Sequence, residues 1–145
     1  MNTESGGAII RTAITPHPIH IEELRDEAKR IESGALITFS GDVRNHDGGR
    51  DVLALDYETH PTADEILQSI AREVAEEFGL QALVIEHRYG SLQIGDTALG
   101  VVAGSAHRAE AFNGAMAAVD RVKERLPMWK HQFFADGTDE WVNSA

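Results

Sequence analysis

Three helix-length segments in this chain are separated by strand-length runs that mostly come two at a time, and that order decides more about the fold than any single motif. Residues 8–14 form an apolar run that predicts a short strand, closed by Pro16 and Pro18. Residues 19–31 alternate acidic and apolar side chains with helical spacing. Residues 34–44 and 51–58 predict two strands. Between them, Asn45-His46-Asp47-Gly48-Gly49-Arg50 has turn chemistry that predicts a hairpin with a mobile tip. A second helix is predicted over 62–78 and should stop at Gly79, since glycine takes the left-handed conformation that closes a helix. Strands are predicted over 82–89 and 97–104, a third helix over 107–126 ended by Pro127, and a last strand over 129–134. A doubly wound parallel sheet needs a crossover between consecutive strands, and here strands follow strands directly. The order therefore predicts an α+β fold with mixed, largely antiparallel strands and three main helices. No repeat, low-complexity tract or linker interrupts it, so residues 1–145 are expected to form one domain.

Charge limits what such a domain can bind. The 13 basic and 24 acidic side chains give a net charge of −11, which argues against a general nucleic-acid or anionic-membrane surface. Any anionic ligand must be held by a local basic cluster working against the overall field. There is no cysteine, which removes disulfides, thiolate metal sites and cysteine nucleophiles. The first residues lack a basic segment followed by an apolar run, and no stretch approaches the roughly 18 apolar residues of a membrane span. A cytoplasmic protein is expected.

Against that acidic background, two lysines near the end of the chain stand out. Phe112, Met116, Val119 and Lys123 follow a 4-3-4 spacing, so they share one helix face and Lys123 should project from an apolar stripe. A last-turn lysine can simply answer the helix dipole while its stem covers apolar surface; it can also be a buried functional cation. Lys130 lies just past Pro127, on the predicted strand, facing away from Trp129. At the start of the third helix, Ser105 is placed as a capping residue ahead of His107 and Arg108. Free backbone N–H groups and Arg108 together could hold an anion, or His107 and Arg108 could pair with Glu110 or Asp96. Arg44 ends the first long strand beside the glycine-rich turn. His17-Pro18-Ile19-His20 has the spacing of two metal ligands but lacks an evident third, so no metal site is expected. Nucleotide-binding glycine loops and a serine-nucleophile elbow are absent from the sequence.

Five fragments in series carry a family resemblance. They are Phe39-x-Gly41-x-Val43-Arg44-Asn45-His46; His87-Arg88-x-Gly90-x-Leu92-x-x-Gly95-Asp96; Ser105-x-His107-Arg108-x-x-Ala111-Phe112; Lys123-x-x-x-Pro127-x-Trp129-Lys130; and Trp141-Val142. Together they resemble the large, catalytic subunit of molybdopterin synthase over most of the chain. The resemblance implies an α/β-hammerhead type fold and a homodimer that binds a small ubiquitin-like subunit at each end, a heterotetramer in all. It further implies that the small subunit's C-terminal Gly-Gly thiocarboxylate enters a pocket on the large one, where two sulfurs pass to cyclic pyranopterin monophosphate to form the molybdopterin dithiolene. The residues it carries over are Arg44, His107, Arg108, Lys123 and Lys130, with Phe39 lining the pocket. Lys123 and Lys130 are the catalytic candidates; Arg44, His107 and Arg108 are those expected to hold the substrate phosphate. Family pockets are built across the dimer, so His107 and Arg108 of one chain are expected to serve the lysines of its neighbour. No cofactor is implied, because the sulfur arrives at the thiol oxidation level.

The chain departs from the family pattern in places. Asp42 stands where many relatives carry a basic residue, and His131-Gln132 stand where a basic residue and a glutamate are usual. Three residues follow Val142 here, so the further basic contact that a longer tail brings in relatives is not expected. Two other classes fit some residues. A binding-only relative would dock the tail without catalysis, and a phosphate-dependent lyase would use Lys123 as a Schiff-base nucleophile.

Overall fold

The computed structural model describes residues 2–5 and 7–145; Met1 and Gly6 lie outside the description. Among the described residues, two five-stranded sheets and three helices make up the fold. The first sheet runs in the order β1 (Asn2–Ser5), β2 (Ala8–Thr15), β6 (Ala82–Arg88), β8 (Thr97–Ser105), β3 (Ala35–Asp42). Only β2 and β6 pair in parallel; the other neighbours in this sheet are antiparallel. The second sheet is antiparallel, in the order β10 (Asp139–Val142), β9 (Met128–Phe134), β5 (Arg50–Thr59), β4 (His46–Asp47), with β7 (Gly90–Gln93) also on β5. The α+β expectation holds.

Helices cover both faces of the first sheet, and the central strands show it in their sequence. Ala82, Leu83, Val84 and Ile85 are all fully buried, the continuous apolar run of a strand with no wet face. Alternation sends Ala82 and Val84 to one side, where they pack with Leu24 and Ala28 of α1 (Ile21–Ala28). Leu83 and Ile85 face the other side, into the larger core with α2 (Ala63–Phe78) and α3 (Arg108–Arg125). Gly79 closes α2 as expected, at φ 63° with its N–H on the Ala75 carbonyl oxygen. On α3 the buried face is made of small residues, Ala111, Gly114, Ala115 and Ala118, followed by Val122. A Cβ at Gly114 would lie 2.7 Å from a Leu80 methyl group, so any larger residue there must displace the Leu80 side chain.

Four expectations need correction. The strands on either side of residues 45–50 do not form a hairpin with each other: β3 pairs with β8, and only the two-residue β4 folds back on β5. A register shift between Gly41 and Asp42 ends the β3–β8 ladder, and Val43 then bonds through its N–H to the Asp96 carbonyl, which carries the chain from one sheet to the other. The first helix is shorter than 19–31; Lys29 is already extended and Ile31 is fully exposed, because the chain must turn before β3. Ser105 does not cap α3. It is buried at the end of β8 and donates to the Gly79 carbonyl oxygen at 3.2 Å, and His107 takes the N-cap position without a side-chain cap bond. Finally, the Phe112–Met116 face of α3 is not a core face: the two side chains are 57% and 67% exposed. The strands β1, β7 and β10 were not expected at all.

Candidate active site

The crossing at Val43 opens a cleft between the two sheets at the C-terminal end of α3. Its volume is about 280 Å³. The segment from Gly41 to Asp47 forms one wall, Leu55 and Tyr57 of β5 with Lys130 and Gln132 of β9 form another, and Lys123 enters from α3. His87, Ala98 and Leu99 contribute from the first sheet, and Ala145 also lines the cleft. The two lysines predicted from sequence, from α3 and β9, are thus brought together with Arg44 of the β3–β4 connection.

The lysines sense each other. Lys123 as a residue is largely solvent-accessible, but its Nζ reaches into the cleft and donates to the Ala145 carbonyl oxygen at 3.3 Å. Burial in the cleft, and then repulsion from Lys130, lower its pKa below the usual 10.5. Ala145 itself is buried. The cations are balanced locally: Gln132 donates through Nε2 to Asp47 Oδ2 at 2.8 Å, and this bond, with help from Lys130, Arg44 and Arg50, holds the Asp47 carboxyl below its usual range. Arg44 is mostly exposed and sits 3.8 Å from Asp47, a weak surface pair that leaves its guanidinium available. Asp42 accepts from Thr97 at 2.9 Å and also from Ser40, so it is occupied by hydroxyls.

At the back of the cleft, burial pushes the Tyr57 hydroxyl up to about 12 and the His87 imidazole down to about 4. Their rings meet edge to face at 5.0 Å between centroids. Both groups are therefore neutral near pH 7.

Phe39, His107 and Arg108 do not line this cleft within one chain. Phe39 lies in a separate groove with Ile37, Phe112, Met116 and Val119. His107 and Arg108 are exposed at the other end of α3. The pairing with Glu110 or Asp96 weighed for them is not formed; Asp96 takes Arg88 instead, at 3.3 Å. His17 and His20 are exposed, and no group of three or more possible metal ligands occurs among the described residues. Sequence reasoning passed over His46, Asp47, Tyr57, His87 and Gln132, which share the cleft with the lysines. Signals were available: His46 and His87 belong to the fragments that carry the family resemblance, and Gln132 lies two residues after Lys130 on the same strand face.

Comparison with known proteins decides the family. A family model described as "MoaE protein" matches residues 14–125, more than half of the chain. The chain belongs to the MoaE family. Molybdopterin synthase catalytic subunit 1 of Mycobacterium tuberculosis is 34% identical over 142 residues, which span 97% of this chain and 96% of that one. The molybdopterin synthase catalytic subunit of Emericella nidulans is 40% identical over 146 residues, with coverage of 90% and 75%. Among solved structures, molybdopterin synthase from Staphylococcus aureus matches with a TM-score of 0.81 at 33% identity, covering 90% of this chain and 94% of that one. A complex of subunits 1 and 2 of molybdopterin-converting factor from Helicobacter pylori, at 18% identity and a TM-score of 0.69, shares the MoaE fold.

Proposed function

We propose that this protein is the catalytic subunit of a molybdopterin synthase, a cytoplasmic sulfurtransferase that moves two sulfurs from the C-terminal thiocarboxylate of a small ubiquitin-like subunit to cyclic pyranopterin monophosphate. The observation that carries this is the convergence of Lys123 and Lys130 in one cleft, with burial and mutual repulsion lowering the pKa of Lys123. Both substrates are anions, and a basic cleft in a protein of net charge −11 suits them. Ala145 illustrates the group that the cleft accepts: a small residue with its carbonyl oxygen on Lys123 Nζ. A Gly-Gly tail bound there takes the place of Ala145.

In each transfer, the thiocarboxylate sulfur forms a bond to an oxygen-bearing side-chain carbon of the pterin as that carbon's C–O bond breaks, the oxygen leaving as water or staying on the phosphate as its ester bond to that carbon opens. Water then attacks the thioester carbonyl, leaving sulfur on the pterin and returning the tail as a carboxylate. Lys123 as an ammonium stabilises the negative charge that develops on the thioester oxygen, and Lys130 positions and reinforces it. Arg44, with His107 and Arg108, holds the pterin phosphate, and Phe39 packs beside the bound substrate. Lys123 and Arg108 are fifteen positions apart on one helix, roughly 22 Å at 1.5 Å per residue. No small pterin spans that distance, so His107 and Arg108 act on the cleft of a second copy. The exposed apolar groove of Phe39, Phe112 and Met116 supports such a homodimer, because water-exposed phenylalanine and methionine side by side gain by mutual burial. One small subunit on each cleft completes a heterotetramer.

Incubating the purified protein with a thiocarboxylated small subunit and the cyclic pterin tests this. Dithiolene product is expected. A folded dimer that binds the tail without forming product would favour the binding-only alternative.

A further inference from the structure

His87 is a polar group in the cleft that the transfer chemistry above leaves without a task, and it is the one completely buried there. It is completely buried on β6, on the face that carries Leu83 and Ile85. Its Nδ1 lies 2.9 Å from the Arg88 carbonyl oxygen. A carbonyl can only accept, so Nδ1 carries the ring proton and Nε2 is left with a lone pair. That Nε2 is buried and has no hydrogen-bond partner. An unpaired buried acceptor is a cost that a leucine or phenylalanine at the same position would avoid. The strand supplies apolar side chains at its neighbouring inward positions, so packing alone does not call for an imidazole.

Lys123 lines the same cleft, and its charge is among the influences that depress the His87 imidazole, so the two groups lie within electrostatic reach. The other charged groups lining the cleft are Asp42, Arg44, Asp47 and Lys130; Arg88, next in sequence, directs Nη1 to Asp96. We infer that His87 is a positioning residue for Lys123: its neutral Nε2 accepts one N–H of the Lys123 ammonium when a tail is bound, and so aims the cation at the reacting carbonyl. The inference rests on the sulfur-transfer function proposed above. An ammonium has three donors. One reaches the backbone carbonyl in the cleft, as it now reaches Ala145; His87 takes the second; the third is left for the thioester oxygen. A carboxylate in place of His87 would also aim the lysine, but it would neutralise the charge and raise the pKa that burial and Lys130 lower. A neutral imidazole gives direction without an opposing charge.

Two substitutions separate this role from packing. His87→Asn keeps an amide N–H where Nδ1 meets the Arg88 carbonyl and deletes the outer acceptor; His87→Gln extends an amide oxygen to about the reach of Nε2. In single-turnover transfer with thiocarboxylated small subunit and pterin, His87→Asn should be slower by about tenfold or more, with unchanged affinity for the small subunit, and His87→Gln should recover most of the rate. In the complex with the small subunit carrying an unreactive carboxylate tail, the Lys123 Cε resonance, assigned by its loss in Lys123→Arg, should titrate at lower pH in His87→Asn than in the wild type, because an acceptor favours the charged form. Equal rate losses in both variants, or a wild-type rate and titration in His87→Asn, would overturn the inference. If the wild type forms no product, the proposed function fails while the Lys123 titration still decides the His87 contact. Should His87→Asn not fold, His87→Phe replaces it in both measurements.

Discussion

The two ends of α3 each lie by a pair of basic residues or their equivalent, Lys123 with Lys130 of β9 at one and His107 with Arg108 at the other, and the chain treats them differently. At the C-terminal end, Lys123 meets Lys130 and Arg44 inside a cleft, and burial there shifts the Lys123 pKa. At the N-terminal end, His107 and Arg108 stand in solvent, away from the lysine cleft of their own chain. Between the two ends lies the exposed apolar face of Phe112 and Met116. On the proposed function, one end is a finished half-site and the other an unfinished one, and the apolar face between them would join two copies. A basic residue is thus not made functional by its neighbours in sequence. What matters is whether the fold gives it a wall to work against.

The largest effect should come from the finished end. Lys123→Ala should lower single-turnover sulfur transfer by roughly 10²-fold or more, the scale for losing a charge-stabilising group, with a folded far-UV spectrum. Lys130→Ala should leave a measurable fraction, since Lys130 reinforces rather than contacts the developing charge. A Lys123→Ala protein with near-normal turnover would remove the lysine from the chemistry. Next, Met116→Asp together with Phe112→Asp should convert a dimer to a monomer in light scattering and abolish transfer while leaving the fold intact, because neither side chain belongs to the core. Dimers that persist would place the second copy elsewhere.

The opposite face of the same helix should respond in stability rather than assembly. Gly114→Val drives a side chain into Leu80 and should cost about 1–3 kcal/mol in chemical denaturation, with the dimer and the activity per folded molecule retained. The smallest effect concerns titration. Lys123 should titrate below 10.5, and Lys130→Ala should move its midpoint partly back upward, since burial remains after the repulsion is gone. Between the lowered folded value and 10.5 the unfolded chain binds the extra proton, so this group makes stability rise with pH across that window. Transfer that needs the ammonium should instead fall as pH rises through the folded value. A Lys123 resonance that ignores Lys130→Ala would show the two are not coupled.

Much of this was legible in the sequence where one local rule acted alone. The run from Ala82 read as a strand, Gly79 read as a helix stop, and Lys123 and Lys130 were conspicuous in an acidic chain. The rest depended on partners that sequence does not name. Asp47-Gly48-Gly49 reads as a turn whether its flanking strands pair together or, as here, join different sheets. On α3 the larger side chains Phe112 and Met116 outweighed the Ala–Gly face that is actually buried, because a close helix contact selects small residues over hydrophobic ones. Strand β10 was hidden by Asp139 and Glu140, which leave only Trp141 and Val142 to signal it. His87 was one histidine among seven, and nothing in its neighbours announced complete burial beside a lysine.

Hybrid dimers test most directly whether the two ends of α3 complete one site across two chains. Lys123→Ala and Arg108→Ala proteins, each strongly impaired alone, would be differently tagged, mixed, and isolated as the hybrid. If each site takes its lysines from one chain and its arginine from the other, the hybrid holds one intact site and should transfer sulfur at about half the wild-type rate. A hybrid no more active than its parents would mean that Lys123 and Arg108 serve the same chain or separate sites, and would contradict the account.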